Sequence, residues 1–296
     1  MKTFLILGAN GQLGTELQAA FQGAGRIMAH SRASCDLSVP DSIYSAIRDA
    51  RPDVILNAAA YTAVDRAESE PDLAMRINGD APGILGDEAK KIGAILIHYS
   101  TDYVFDGSKQ RPWLEDDPVN PLNVYGRTKL AGERNVQQAG GNFLIFRTSW
   151  VFSPHGHNFF RTMLRLGQER ERLKVVNDQR GAPTSASAIA KATRRAVDDL
   201  LRTNSPGLSG TYHMTCSGET TWSGFAKAIF VKASAVKPWA VVDDVPTSEY
   251  RTPAQRPKYS VMSNRKLKKI FGVELPDWET ALDETLHPLR LPDQPQ

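Results

Sequence analysis

A glycine-rich turn near the N-terminus is the feature of this sequence that most constrains its fold. Residues 2–8 read KTFLILG, an apolar run closed by glycine that is typical of a buried parallel strand. Glycine recurs at Gly8, Gly11 and Gly14, and residues 15–21 then show helical spacing of their apolar positions. In such a turn the backbone can approach a pyrophosphate, whose charge the amides of the helix N-terminus stabilise. A glycine trio also occurs in ligand-free tight turns, but its place after the first strand favours a dinucleotide-binding fold.

Strand-like and helix-like segments alternate through the first half of the chain. The patterns predict strands at residues 26–30, 53–56, 94–97 and 142–146, and helices at residues 71–91 and 123–138. This alternation predicts an α/β fold with a Rossmann-type, doubly wound parallel sheet and helices on both faces.

The sequence predicts two domains. Residues 1–150 form the dinucleotide-binding domain, to which residues 177–205 return, whereas residues 151–176 and 206–296 form mainly a smaller, mixed substrate-binding lobe. Residues 238–257 are rich in prolines and acids, which suits a loop-heavy lobe better than more Rossmann sheet.

Composition favours an enzyme of the cytoplasm. The 296 residues are 41% apolar, enough for a large core, and the formal net charge of +3 is small. No apolar run is long enough to span a bilayer, and the apolar start is itself a strand, so we expect neither a membrane segment nor a cleaved signal. Basic residues cluster at 265–269, which we interpret as the exposed face of a short helix, so no nucleic-acid partner is expected.

Tyr125 and Lys129 are four residues apart in a predicted helix and therefore share one face. A free tyrosine has a pKa of about 10, whereas a general acid works best with a pKa near the operating pH. A partly desolvated ammonium at close range favours the phenolate, so we expect Lys129 to lower the pKa of Tyr125. Such a pair also arises by chance on exposed helices, but the glycine turn upstream makes a nicotinamide-dependent reductase the favoured hypothesis.

Residues after the second predicted strand bear on the choice of cofactor. This position often holds an acid that binds the adenosine ribose, but here His30, Ser31 and Arg32 occupy it. An arginine there can pair with a 2′-phosphate, so we expect NADPH to bind at least as well as NADH. Arg32 can equally be a solvated loop charge. Asp36 and Leu37, a little further on, are candidates for contact with the adenine edge.

Polar clusters also follow the third and fourth predicted strands, at the ends where open parallel sheets bind their ligands. Residues 57–62 read NAAAYT, and their small side chains allow a cofactor to pass close to the backbone. In residues 100–103, STDY, Thr101 can donate a hydrogen bond to a carbonyl oxygen that gains charge during hydride attack. The alternative is that Thr101 only caps the loop.

Several of these motifs resemble the extended short-chain dehydrogenase/reductase superfamily: the glycine turn, residues 100–107 (STDYVFDG) and residues 125–129 (YGRTK). Three further stretches narrow the resemblance to the dTDP-4-dehydrorhamnose reductase family: residues 57–65 (NAAAYTAVD), 147–152 (RTSWVF) and 178–184 (DQRGAPT). Arg256, Pro257 and Ser260, with the helix that follows, look like the C-terminal signature of the family, so the resemblance extends over nearly the whole chain.

The resemblance implies reduction of the C4 ketone of dTDP-4-dehydro-L-rhamnose to dTDP-L-rhamnose, with NADPH or NADH as hydride source. In these roles Tyr125 protonates the developing alkoxide, Lys129 holds the nicotinamide ribose, and Thr101 orients the ketone. The expected cofactor contacts are Gly8, Asn10, Gly11, Gln12, Leu13, Gly14, His30, Ser31, Arg32, Asp36, Leu37, Ala59, Ala60, Tyr61, Thr62, Tyr125 and Lys129. The expected substrate contacts are Thr101, Asp102, Trp150 and Arg256.

Some assignments have alternatives. Trp150 can instead be an ordinary core residue, and Arg251 is a second candidate for the nucleotide phosphates. Members of the family are described as magnesium-dependent through carboxylates between subunits, which makes Mg²⁺ and a homodimer further expectations. The metal ligands cannot be assigned from the sequence, because the acids at 115–117 and the histidines at 155 and 157 fit solvated loops equally well.

Two other functions stay open. Nucleotide-sugar epimerases and dehydratases of the same superfamily retain the Tyr-Lys pair, and dehydratases add an acid beside the threonine, where Asp102 stands. Relatives of the reductase also serve as non-catalytic regulatory subunits of methionine adenosyltransferase. Because a regulator has no need of Thr101, Tyr125 and Lys129 together, the complete set favours the enzyme.

Overall fold

A parallel sheet of six strands forms the centre of the computed structural model, which describes residues 1–203, 206–233 and 239–289. The strands are β1 Thr3–Leu7, β2 Arg26–His30, β3 Val54–Asn57, β4 Ile95–Thr101, β5 Asn142–Thr148, β6 Val151–Phe152, β7 Arg172–Val176, β8 Arg180–Gly181, β9 Thr184–Ser185, β10 Gly210–His213, β11 Thr220–Thr221 and β12 Val241–Val245. The large sheet has the order β10-β5-β4-β3-β1-β2, and its pairings are all parallel. The pairs β11-β8, β12-β7 and β6-β9 lie outside it.

Helices cover both faces of the large sheet. They are α1 Gln12–Ala20, α2 Pro40–Ala50, α3 Val64–Ala67, α4 Pro71–Met75, α5 Ala81–Ile92, α6 Val124–Ala139, α7 Phe159–Glu169, α8 Ala186–Thr203, α9 Trp222–Ala233, α10 Arg265–Phe271 and α11 Trp278–Leu286. A π-helical turn, Arg76–Asp80, joins α4 to α5, and a 3₁₀ turn, Asp102–Val104, follows β4.

Alternate residues of the central strands enter two separate hydrophobic cores. In β1, Phe4 and Ile6 pack on one face of the sheet and Leu5 and Leu7 on the other. The first core includes residues of α1, α8, α9 and α11, and the second includes residues of α2 and α5. Because both faces are covered, the central strands appear in the sequence as continuous apolar runs. Within the described ranges, no helix combines the length and apolar character needed to cross a membrane.

The predicted fold class and the predicted strands and helices are confirmed, with two differences. β10, from the range assigned mainly to the substrate lobe, pairs with β5 at the edge of the large sheet. Residues 238–257 are not all loop: Val241–Val245 forms β12 beside β7, because Val242 and Val245 pack inward. Pro238 lies outside the described residues, and the division into two domains stays a prediction.

Two glycines allow α6 to approach its neighbours closely. A Cβ on Gly126 would lie 2.3 Å from the carbonyl oxygen of Tyr103, and one on Gly132 would lie 2.1 Å from the carbonyl oxygen of Asn78. Asn123 caps the helix, since its Oδ1 accepts a hydrogen bond from the amide of Gly126 at 2.8 Å. These contacts fix α6 against the π-helical turn and the 3₁₀ turn that follows β4.

We expect Gly132→Ala to destabilise the protein by about 2 kcal/mol, because the added methyl group meets backbone that cannot move aside. Gly210→Ala is the control, since a Cβ there has its nearest neighbour 3.8 Å away. Its effect should be smaller than about 0.5 kcal/mol. Urea unfolding followed by circular dichroism measures both, and equal stability of the two variants would contradict the close approach of α6.

Candidate functional site

The carboxyl ends of neighbouring strands meet along one edge of the large sheet, and the predicted site residues gather there. The register pairs Leu7 of β1 with Asn57 of β3, and Thr101 of β4 with Thr148 of β5. Segments that are far apart in the sequence therefore follow these strands side by side and form one continuous surface.

The glycine turn after β1 is tight and leaves helix amides free. Gly8 has a φ of +80°, and a Cβ there would lie 2.8 Å from the backbone nitrogen of Ala59; a Cβ on Gly14 would lie 2.1 Å from the carbonyl oxygen of Gly8. Gly11 is the N-cap of α1 and offers no side-chain cap, so the first amides of the helix, from Gln12 onward, need another acceptor. Amides in this position bind phosphate oxygens.

The segment after β2 is tied to this turn. The carbonyl oxygen of His30 accepts a hydrogen bond from the amide of Gly8 at 2.9 Å, and Ser31 begins the turn that follows. Arg32 is exposed, with its Nε 3.3 Å from Oδ2 of Asp36. A surface ion pair of this kind is weak, so the guanidinium remains accessible to a phosphate.

The other predicted cofactor residues of this region differ in exposure. Asn10 is exposed, and the Oε1 of Gln12 accepts a hydrogen bond from Asn158 at 2.8 Å. Leu13 and Leu37 are buried in the two cores. Their side chains serve packing, so contact of these leucines with a cofactor stays a prediction.

Asn78, in the π-helical turn, holds residues 59–62, which follow β3, in place by hydrogen bonds to the backbone of Tyr61. Its Oδ1 accepts from the amide of Tyr61 at 2.9 Å, and its Nδ2 donates to the carbonyl oxygen of Tyr61 at 3.0 Å. The same Nδ2 lies 3.2 Å from the hydroxyl of Thr128 on α6. The two alanines are half-buried and Thr62 is exposed. A buried asparagine thus connects the predicted cofactor segment to the helix that carries Tyr125.

Thr101 ends β4 and is buried. Its Oγ1 donates to Oδ1 of Asp102 at 3.0 Å and accepts from the amide of Tyr103 at 3.2 Å, so it does cap the following turn. Thr101 also interacts with the phenol of Tyr125 and lowers its pKa, so the capping role does not exclude a role in catalysis. Burial raises the pKa of Asp102 to about 6, against the opposing hydrogen bonds from Ser260 and Thr101.

Tyr125 lies edge-on to Tyr103, with the ring centroids 5.5 Å apart. Burial raises the pKa of Tyr125 to about 12; the interaction with Thr101 opposes this rise, and the charge of Asp102 adds to it. The expectation that Lys129 lowers the pKa of Tyr125 is therefore wrong. The physical reason is that desolvation of the phenol dominates, while the ammonium is engaged elsewhere.

Lys129 is almost fully buried, with 2% of its surface exposed. Its Nζ donates to the carbonyl oxygen of Tyr99 at 2.6 Å and lies 3.5 Å from Nε2 of His98. Burial lowers the pKa of Lys129 to about 8, and the charge of Glu133 opposes this shift. At neutral pH the side chain is therefore mostly an ammonium ion, enclosed between α6 and β4.

A cleft of about 410 Å³ opens beside Tyr103. Its walls include Asp65, Phe159, Lys174, Trp222 and Arg256. Arg256 donates from its two terminal nitrogens to the carboxylate of Asp65, at 3.2 and 2.9 Å, so this predicted phosphate ligand already shares its charge with an acid. Lys174 is exposed and forms no salt bridge with any described residue.

Trp150 follows β5 with a φ of 48°, an uncommon conformation for a large side chain. Its indole stacks on Trp222 with centroids 3.6 Å apart, and it covers Gly181, where a Cβ would lie 2.4 Å from the ring. Nε1 of Trp222 donates in turn to Oε1 of Gln179 at 3.2 Å. Trp150 is half-buried, so it packs against the wall of the cleft and also faces solvent.

The expected magnesium site has no counterpart in the described part of the chain, where no three His, Cys, Asp or Glu side chains gather to hold a metal. Two of the acids at 115–117, Glu115 and Asp117, serve the fold instead. Glu115 accepts a hydrogen bond from the amide of His213 at 2.9 Å, and Asp117 accepts one from the amide of Leu114 at 2.8 Å.

Sequence reasoning missed three residues of this region: His98, Lys174 and Trp222. His98 ends the apolar run at the start of β4, and a histidine in the middle of a buried strand was the available signal. Lys174 and Trp222 come from segments that the sequence does not place beside Tyr125, so no pattern in the chain pointed to them.

Comparison with known proteins agrees with this geometry. Residues 1–291 match the family model described as RmlD substrate binding domain. A dTDP-4-dehydrorhamnose reductase of Burkholderia thailandensis is 49% identical over 285 residues, which cover 94% of this chain and 96% of the relative. The crystal structure of a dTDP-4-dehydrorhamnose reductase from Clostridium acetobutylicum matches with a TM-score of 0.90 at 37% identity, covering 98% of this chain and 100% of that one. A Bacillus anthracis dTDP-4-dehydrorhamnose reductase in complex with NADP gives 0.89 at 36% identity, covering 97% and 99%. The chain belongs to the dTDP-4-dehydrorhamnose reductase family.

Proposed function

We propose that this protein reduces the C4 ketone of dTDP-4-dehydro-L-rhamnose to dTDP-L-rhamnose with NADPH or NADH. The observation that carries the proposal is the meeting of Thr101, Tyr125 and a buried Lys129 at the carboxyl edge of the sheet, beside a cleft with aromatic and cationic walls. The relatives named for this activity are similar over nearly their whole length.

Tyr125 is the proton donor in this proposal. Its pKa of about 12 keeps the phenol protonated at neutral pH, as a group that gives its proton to a developing alkoxide requires. The phenolate left behind must be reprotonated, and we assign this role to Lys129, because its pKa of about 8 lies below that of Tyr125. The hydroxyl of Thr101 lies beside Tyr125 and orients the ketone oxygen.

The residues of the sheet edge fit a nicotinamide cofactor, which supplies the hydride when it is bound. The uncapped amides at the start of α1 would hold its pyrophosphate, and the accessible guanidinium of Arg32 would pair with the 2′-phosphate of NADPH. Residues 59–62 would lie along the cofactor. The NADP-bound structure of the Bacillus anthracis relative supports this assignment.

The cleft beside Tyr103 fits the nucleotide part of the substrate. The rings of Phe159 and Trp222 offer apolar faces to a pyrimidine base, and Lys174 is a free cation for the diphosphate. Arg256 contributes less charge because Asp65 neutralises it. Asp102 and Trp150 would then face the sugar.

The alternative functions have weaker support. A Thermus thermophilus UDP-glucose 4-epimerase shares the fold with a TM-score of 0.79, but its sequence is only 17% identical. A likeness at this level of identity shows the fold alone and does not support an epimerase reaction. A regulatory subunit has no need of Thr101 and Tyr125 together with a buried lysine, and this chain retains all three residues.

We expect Tyr125→Phe to lower kcat by at least about a hundredfold, because the variant cannot protonate the alkoxide. The assay follows NADPH absorbance with dTDP-4-dehydro-L-rhamnose and identifies the product as dTDP-L-rhamnose. Tyr212→Phe is the control, since it removes a buried hydroxyl that donates to the carbonyl oxygen of Leu208, in another part of the fold. Wild-type turnover by Tyr125→Phe would exclude this proton donor, and an inactive wild type would exclude the reaction.

We expect the kcat of the wild-type enzyme to fall as the pH rises through about 8, because Lys129 then loses the proton that it must supply. The sign follows from the charge: the group is an ammonium below its pKa and a neutral amine above it. A pH profile at saturating substrate and NADPH measures the basic limb. A kcat that stays constant between about pH 7 and 9 would show that ionised Lys129 is not required.

We expect Lys174→Met to raise the KM for the sugar nucleotide about tenfold and to leave kcat nearly unchanged, because a lost diphosphate contact weakens ground state and transition state alike. Lys269→Met, on the exposed face of α10, is the matched control. An unchanged KM in Lys174→Met, or an equal change in both variants, would contradict the placement of the diphosphate in this cleft.

A further inference from the structure

A chain of polar side chains runs behind Lys129 inside the protein. Asn57 ends β3, His98 lies opposite it in β4, and Nδ2 of Asn57 is 3.2 Å from Nδ1 of His98. The other ring nitrogen, Nε2, is 3.5 Å from Nζ of Lys129. Asn57 and His98 are 1% exposed. Polar groups at this depth are costly unless their hydrogen bonds are made, so their arrangement is tightly constrained.

The ammonium of Lys129 determines where the imidazole carries its hydrogen. Burial first, and then the charge of Lys129, hold the pKa of His98 well below its usual value, so the ring is neutral. An ammonium only donates, so Nε2 of His98 must be the acceptor. A neutral ring whose Nε2 accepts carries its hydrogen on Nδ1.

Asn57 stabilises this tautomer. With the hydrogen on Nδ1, the atom of Asn57 that faces His98 has to be the amide oxygen. That oxygen has no hydrogen-bond partner in the amide orientation of the structure, and a half-turn of the amide gives it one. A half-turn of the Asn57 amide therefore lets Nδ1 of His98 donate to the amide oxygen and leaves Nε2 free to accept from Lys129.

Lys129 has three N–H groups, of which one donates to the carbonyl oxygen of Tyr99 and one points to His98. We propose that His98, held by Asn57, is a positioning residue that anchors the ammonium of Lys129 so that its third N–H serves the proton supply to Tyr125. This inference rests on the proposed reductase function.

Other ionisable groups surround Lys129 without replacing His98. Tyr125 and Glu133 share its helix, and Glu133 is itself paired with Arg147 of β5 at 2.7 Å. Asp102 lies in the 3₁₀ turn, against Tyr125. The charged residues of the other elements packed on α6 form no described hydrogen bond or salt bridge with Lys129; they are Asp65, Arg66, Asp72, Arg76, Asp80, Asp87, Glu88, Lys90 and Lys91.

The test compares His98→Leu, which removes both hydrogen bonds, with His98→Gln, whose amide oxygen can take the place of Nε2. We expect His98→Leu to lower kcat about tenfold to a hundredfold with little change in KM, because the ammonium is no longer held in place. The basic limb of its pH profile should move to lower pH, because the charged form of Lys129 loses an acceptor. His98→Gln should recover most of the kcat and the pH profile.

His213→Leu is the matched control, because His213 is also fully buried but has no hydrogen bond to Lys129 or Tyr125. Wild-type kcat and pH profile in His98→Leu would overturn the proposal. Equal losses in His98→Leu and His98→Gln, or in His98→Leu and His213→Leu, would also overturn it, since packing alone would then account for the effect.

A second measurement does not depend on turnover. Titration of the ε-carbon of Lys129 by ¹³C NMR, with Lys129→Met to assign the signal, should show a lower pKa in His98→Leu than in wild type and His98→Gln. Asn57→Ala should shift it in the same direction and serves if His98→Leu fails to fold. An unchanged titration overturns the proposal, whereas an inactive wild type with the expected shift would refute the reductase function alone.

Discussion

The buried ammonium of Lys129 is the constraint on which the rest of the site depends. A charge removed from water is tolerated only where hydrogen bonds and opposite charge replace its hydration. Here the carbonyl oxygen of Tyr99 and the ring of His98 accept the hydrogen bonds, and Glu133 supplies the opposite charge. These groups come from β4 and α6, so the charge state of Lys129 is only as stable as the contact between that strand and that helix.

Two glycines bring α6 close to the 3₁₀ turn that follows β4 and to the π-helical turn. Gly126 permits α6 to meet the carbonyl oxygen of Tyr103, and Gly132 permits it to meet that of Asn78. Asn78 in turn holds both backbone groups of Tyr61, in the segment proposed to lie along the cofactor. The position of the catalytic helix and the shape of the cofactor segment are therefore set by the same close packing, and a change at one of them affects the other.

The sequence predicted the elements of the site better than its electrostatics. The glycine turn, the apolar strands and the four-residue spacing of Tyr125 and Lys129 are local patterns, and local patterns determine strands, turns and helix faces. The direction in which the ammonium of Lys129 points depends instead on the residues of β4 that lie across from α6. The spacing of residues within α6 does not show which residues these are. For the same reason the pKa of Tyr125 was expected to fall, whereas burial in the assembled fold raises it.

The pKa of Tyr125 lies above that of Lys129, and this order determines which way a proton moves between the two groups. With Tyr125 near 12 and Lys129 near 8, the resting site at neutral pH holds a protonated phenol beside an ammonium. Such a site can protonate a developing alkoxide at once and then restore the phenol from Lys129, because a proton moves readily to the group with the higher pKa. Oxidation of an alcohol would first require Tyr125 to ionise, against the burial that disfavours its phenolate. The same burial that raises the pKa of Tyr125 therefore keeps a proton donor ready for the alkoxide that forms during reduction.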